Sequence, residues 1–166
     1  MNKTSKNFSS PRAVIFFILT IAVMTAIFLF SCENSGDSSE TSGTIVEIVI
    51  DLRYDNFNEL SPAEQQNIYD DISHIIRKTA HFTAFAALGF CVSMFLGRCK
   101  FFSAKKLGAL VFCFLYACSD ELHQYFVPGR ACMFTDVLID TSGSLTGMFI
   151  SLIVFTLIAD KDPVME

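Results

Sequence analysis

A chain of 166 residues that is 52% hydrophobic, with 18 phenylalanines, carries more apolar material than a soluble domain of that length needs. A net charge of −5, with no basic stripe interleaved with aromatics, argues against a nucleic-acid partner. The six cysteines show no CxxC or Cys/His ligand spacing, which argues against a zinc ribbon or finger.

A spanning helix needs about 20 mostly apolar residues. Residues 13–30 form an uncharged run, and Lys3, Lys6 and Arg12 precede it. The positive-inside bias therefore places residues 1–12 in the cytoplasm. The run ends in Leu29-Phe30-Ser31-Cys32, the outline of a lipoprotein signal with Cys32 as the lipidated residue. Phe30 is bulky for that role, and the run exceeds an apolar region of about 7–15 residues, so an uncleaved helix is expected. Residues 31–61, opening CENSGDSSETSG, read as an acidic, solvated, extracytoplasmic linker. Within it, residues 44–52 are apolar and short, suited to the interface or to a helical turn.

Ser61-Pro62-Ala63-Glu64 combines an N-cap serine, a proline at the first helical position and a capping-box glutamate. No glycine or proline follows before Gly89, which predicts one long helix from Pro62 to Leu96. Its first part, 62–78, is amphipathic through Ile68, Ile72, Ile75 and Ile76 and belongs along the outer interface. Its second part, 80–96, is a span whose charged-group content is His81 alone. Arg98, Lys100, Lys105 and Lys106 then mark a cytoplasmic loop. Residues 107–127 are apolar as far as Cys118 and then run into SDELHQYFV before Pro128-Gly129 turns the chain. Residues 137–159 form the last span, with Asp140 as its single charge, and 159–166 is a cytoplasmic tail containing Lys161. The expected protein is all-α: a multi-pass protein of the cell membrane with four transmembrane helices, an amphipathic extension on the second, and both termini cytoplasmic. Its membrane domain covers 13–158. Most cysteines read as small apolar fillers, and a disulfide among Cys32, Cys118 and Cys132 stays open.

Three polar stripes meet in this map. Lys78, His81, Phe85 and Gly89 share one helical face, as do Asp136, Asp140, Gly143 and Gly147. Gly143-x-x-x-Gly147 is a close-packing face, so the two aspartates point into the bundle. On the third helix Asp120 is followed at helical spacing by His123 and Gln124. The topology gathers Lys78, His81, Asp120, Glu121, His123, Gln124, Arg130, Asp136 and Asp140 at the outer ends of their helices. A carboxylate at a span's centre costs about 2.5–3.5 kcal/mol, so these groups must neutralise one another. They form either a structural lock or an outward-opening pocket.

Lys78-x-x-His81-Phe82 with Leu88-Gly89, then Ser119-Asp120-Glu121-x-His123-Gln124-x-Phe126-Val127-Pro128-Gly129-Arg130, then Asp136-Val137-Leu138 and Gly143-x-x-x-Gly147, resemble a VanZ-like membrane protein in order and spacing. Phe30-Ser31-Cys32 also sits where that family carries a Phe-Ser-rich segment. Phe85 stands where the family often has Tyr, and Asp140 where Asn is frequent. The resemblance implies a role in the cell envelope and in lowered teicoplanin susceptibility, in a family whose members mostly have no assigned reaction. Two functions follow. One is binding of a lipid-linked or amphiphilic ligand at the outer leaflet, alongside membrane lipids. The other is a membrane-embedded hydrolase or transferase, with Glu121 or Asp120 and His123 as acid and base, and Arg130 and Lys78 holding a phosphate or carboxylate. The first is favoured because no activated nucleophile stands out. No cofactor is expected. A metal held by His81, His123 and carboxylates lacks HExxH-type spacing and is not expected either. His74 reads as a surface residue.

Overall fold

The computed structural model describes residues 10–33, 35–128, 130 and 132–159. Lys3, Lys6, Gly129 and the tail from residue 160, which carry parts of the expected topology, lie outside the described residues. Among the described residues there are five α-helices and no strand: α1 Pro11–Ser31, α2 Ser35–Arg53, α3 Pro62–Leu96, α4 Ala104–Tyr125 and α5 Phe134–Ala159. A short 3-10 turn, Phe57–Glu59, links α2 to α3.

The helix starts follow from local chemistry. Ser10 accepts a hydrogen bond from the Ala13 N–H at 3.2 Å, with Pro11 beginning α1. The capping box at α3 is reciprocal: the Ser61 side chain accepts from the Glu64 N–H, and Glu64 Oε2 accepts from the Ser61 N–H at 3.0 Å. Ser103 caps α4 through the Lys106 N–H. α3 stops at Gly97, whose φ of 77° lies in the region that favours glycine.

Three helices are long and apolar enough to cross a membrane: Pro11–Ser31, Pro62–Leu96 and the Phe134–Leu157 part of α5. On α1, Val14, Ile15, Phe17 and Ile18 are exposed, as lipid-facing side chains would be. α4, the third of the four expected spans, falls outside this group. Charged residues at both of its ends, Lys105 and Lys106 and then Asp120 and Glu121, dilute its apolar stretch.

α3 and α5 form the main seam of the bundle. Glycines permit it. A Cβ on Gly89 would fall on the Ser144 carbonyl, one on Gly143 on the Phe82 carbonyl, and one on Gly147 on the Ala86 carbonyl. Beside this seam, Phe85, Leu88, Val92, Cys113, Ala117 and Met148 make the buried core, closed by Ile27 of α1. Phe85 packs near Tyr116 with the two rings tilted, at 6.0 Å between centroids, so the position where the family often has Tyr belongs to the core.

Two differences from the sequence reading have physical causes. Residues 31–61 read as a solvated linker, yet much of that segment is α2. Val46 and Ile50, one turn apart, are buried against Ile72 of α3, and this contact offsets poor local propensity. The apolar face of the first part of α3 is therefore covered by α2, while Ile75 alone of the four isoleucines remains strongly exposed. Lys106, counted as a loop cation, is buried in the first turn of α4. Its Nζ donates to the Ser93 carbonyl at 3.2 Å and contacts Ser93 Oγ, which in turn meets Ser151 Oγ. These bonds join α3, α4 and α5 at the end of the bundle far from Asp120. Finally, all six cysteines are free thiols, so Cys32, Cys118 and Cys132 are not paired.

Candidate functional site

The end of the bundle opposite Lys106 holds the charges. Four helical segments converge there: the end of α1, the middle of α3, the end of α4 and the start of α5. Lys78 of α3 reaches across to α5, and its Nζ donates to Asp136 Oδ1 at 2.6 Å. Both side chains keep 28% exposure, so this pair is only partly desolvated. One turn further along α3, His81 Nδ1 lies 4.0 Å from Asp120 Oδ2 of α4. Asp120 Oδ2 accepts from Gln124 Nε2 at 2.8 Å, an i,i+4 bond on the same helix.

Gln124 passes the chain of bonds on. Its Nε2 also donates to Ser31 Oγ at 3.3 Å, and its Oε1 accepts from Arg130 Nη1 at 3.0 Å. Arg130 clamps the end of α1 as well. Its Nε donates to the Glu33 carbonyl at 2.9 Å and its Nη2 to the Phe30 carbonyl at 3.4 Å. Burial, and next the nearby charge of Arg77, lower the Arg130 pKa from its ordinary value, with Asp120, Glu33 and Glu121 opposing. A guanidinium stays protonated in such surroundings. Glu121 Oε1 accepts from the Met133 N–H at 2.6 Å and so holds the loop that enters α5.

These groups enclose a polar cavity of about 220 Å³. Of the nine residues expected to gather, Lys78, His81, Glu121, Gln124, Arg130, Asp136 and Asp140 line it. Asp120 stands behind the wall, touching it through His81 and Gln124. His123 does not line it. Its Nε2 lies 3.4 Å from Cys32 Sγ and its ring stacks near Phe28 at 4.9 Å between centroids. The cause is helical phase: a step of one residue turns His123 about 100° away from Gln124, toward α1.

Arg77 and His74 also line the cavity, although the sequence reading gave them no place there. The signal for Arg77 was present. It lies four residues before His81, on the same helical face, in an otherwise acidic outer segment. A second, apolar groove of about 210 Å³ adjoins the first. Ile27, Phe30, Ile45, Ile76, Ala80 and Ala84 line it, and it shares Arg77, His81 and Arg130 with the polar cavity. Chemically the pair of cavities sets the cations Arg77, Lys78 and Arg130 and the carboxylates of Glu33, Glu121, Asp136 and Asp140 beside an apolar slot, with Lys78 paired to Asp136. Among the described lining residues of the polar cavity there is no serine, threonine or cysteine.

A family model described as VanZ/LLP1 matches residues 16–155. No curated protein and no solved structure matches the chain.

Proposed function

The chain belongs to the VanZ/LLP1 family, and we propose that it is an integral protein of the cell membrane whose outward-facing pocket binds a lipid-linked or amphiphilic envelope ligand with an anionic head. The observation that carries this reading is the junction of the two cavities. An amphiphile needs cations for its head and an apolar slot for its tail, side by side. Arg77 and Arg130 stand at that boundary. Binding of such a ligand would also give the protein a role in glycopeptide (teicoplanin) resistance.

The proposed topology supplies the orientation. α4 serves as a fourth span of 22 residues, and the first part of α3 serves as an amphipathic extension at the outer interface. Lys100, Lys105 and Lys106 lie near the start of α4, and the acidic cluster lies near its end. The basic end then faces the cytoplasm and the cavity opens outward.

The hydrolase or transferase reading gains little. His123, its assigned acid or base, lies against Cys32 and Phe28, and the cavity wall offers no hydroxyl or thiol nucleophile among the described residues. One experiment separates the two. Purified full-length protein in detergent is titrated with undecaprenyl phosphate and with undecaprenol, while free phosphate is assayed. A charge-assisted hydrogen bond contributes about 1.5–3 kcal/mol, so the phosphate should bind at least about tenfold more tightly than the alcohol, without release. Equal affinities would remove the anionic-head reading, and catalytic release of phosphate would replace it with the hydrolase.

A further inference from the structure

His81, Asp120 and Asp140 come from α3, α4 and α5, and each offers one ligand atom within 4.8 Å of the others. Ligand atoms sharing one zinc ion at about 2.0–2.2 Å stand roughly 3.4 Å apart. A closure of about an ångström completes the set. Hydrogen bonding points the same way. Asp140 is only 3% exposed and lines the polar cavity, yet its carboxylate has no hydrogen bond among the described residues. The His81 ring has none either among the described residues, and Asp120 Oδ2 lies 4.0 Å from its Nδ1. Lys78, which lines the same cavity, is engaged by Asp136. The Asp140 oxygens face the cavity rather than closed protein, so a partner for them has to come from what occupies that cavity. Gln124 meanwhile fixes the orientation of Asp120, as supporting residues do for metal ligands.

We propose that His81, Asp120 and Asp140 bind one divalent transition-metal ion, zinc or manganese. Two carboxylates and a neutral imidazole leave such a site without net charge, which suits a site shielded from water. The mixed nitrogen and oxygen donors select zinc or manganese over calcium, which takes oxygen ligands. Three ligands from the protein leave coordination positions open toward the cavity, the pattern of a site that receives a further ligand. Sequence spacing gave no sign of this because the ligands are 39 and 20 residues apart and meet only through helix packing. The inference does not depend on the lipid reading.

The test uses full-length protein in detergent, purified with a cleavable tag that is removed, and stripped with chelator. Zinc and manganese are each titrated calorimetrically, and bound metal is counted by mass spectrometry after dialysis. One ion per chain is expected, with a rise in melting temperature. Asp140→Asn and His81→Gln should each weaken binding at least about tenfold and abolish that rise, ligands mattering no less than the supporting residues whose loss costs about 10–100-fold. His123→Gln, outside the cavity, should bind as the unaltered chain does. If one of the two ligand variants fails to elute as a single species, the other carries the test. Absence of a stoichiometric ion, or equal binding by the folded ligand variants and the unaltered chain, overturns the site.

Discussion

Valine in place of Gly147 will keep α3 and α5 from closing, and the variant will melt roughly 2–12 °C below the unaltered chain. The Cβ of any side chain at this position falls on the Ala86 carbonyl oxygen and also stands 2.8 Å from the Phe90 nitrogen. These are backbone atoms of a helix, so no rotamer change relieves the clash. Overpacking of this kind costs about 1–3 kcal/mol or more, and in a chain of this size each kcal/mol corresponds to about 2–4 °C. The effect reaches the site. Gly143, one turn from Gly147, and Gly89 use the same close approach, and Asp140 and His81 lie just above them on the two helices. Gly108→Ala is the control, because nothing lies within 4 Å of a Cβ there. Melting by size-exclusion after heating, in detergent, reads both. A Gly147→Val protein as stable as the unaltered one contradicts the seam.

Arg77→Gln and Arg130→Lys will both weaken binding of undecaprenyl phosphate at least about tenfold, but only the second will lower stability. Arg77 borders both cavities and makes no hydrogen bond among the described residues, so its loss removes charge and leaves the fold. Arg130 donates to Glu33, Phe30 and Gln124 from three different nitrogens. Lysine, a compact ammonium, cannot reproduce that fork. Glu121→Gln gives the opposite sign. Its amide oxygen can still accept from the Met133 N–H, while one negative charge leaves the cavity, so an anionic head should bind as well or better. In a Gram-positive host, teicoplanin susceptibility measured with membrane abundance on the same cultures should follow binding. Should Arg77→Gln bind normally while Arg130→Lys loses activity only as abundance falls, the cluster is a structural lock.

How much of this was legible in the sequence depends on whether a feature is local. The Ser61–Glu64 capping box and the glycine faces of α3 and α5 are set by spacing along one helix, and each stands where the pattern put it. Charge balance in a low-dielectric bundle likewise brought Lys78 to Asp136 and His81 toward Asp120. The misses depend on contacts between helices. α2 is composed of poor helix formers, and Val46 and Ile50 are stabilised by Ile72, which composition cannot weigh. Lys106 looked like one more loop cation, because the Ser93 and Ser151 hydroxyls that receive it come from two other helices. His123 sits in the densest polar motif, yet one residue of helical phase directs it to Cys32.

Sidedness tests the outward-facing pocket most directly. α4, at about 1.5 Å per residue over 22 residues, is roughly 33 Å long and matches a hydrocarbon core of about 30 Å. It joins Lys100 at one end to Pro128 at the other. The six native cysteines are free, so a cysteine-free background sacrifices no disulfide. Single cysteines at Ser35, Lys100 and Pro128 are then treated with a membrane-impermeant maleimide in intact cells. The account predicts that positions 35 and 128 label at once, and that position 100 labels only after the membrane is opened. Labelling of position 100 from outside, or of position 128 only after opening, would contradict it.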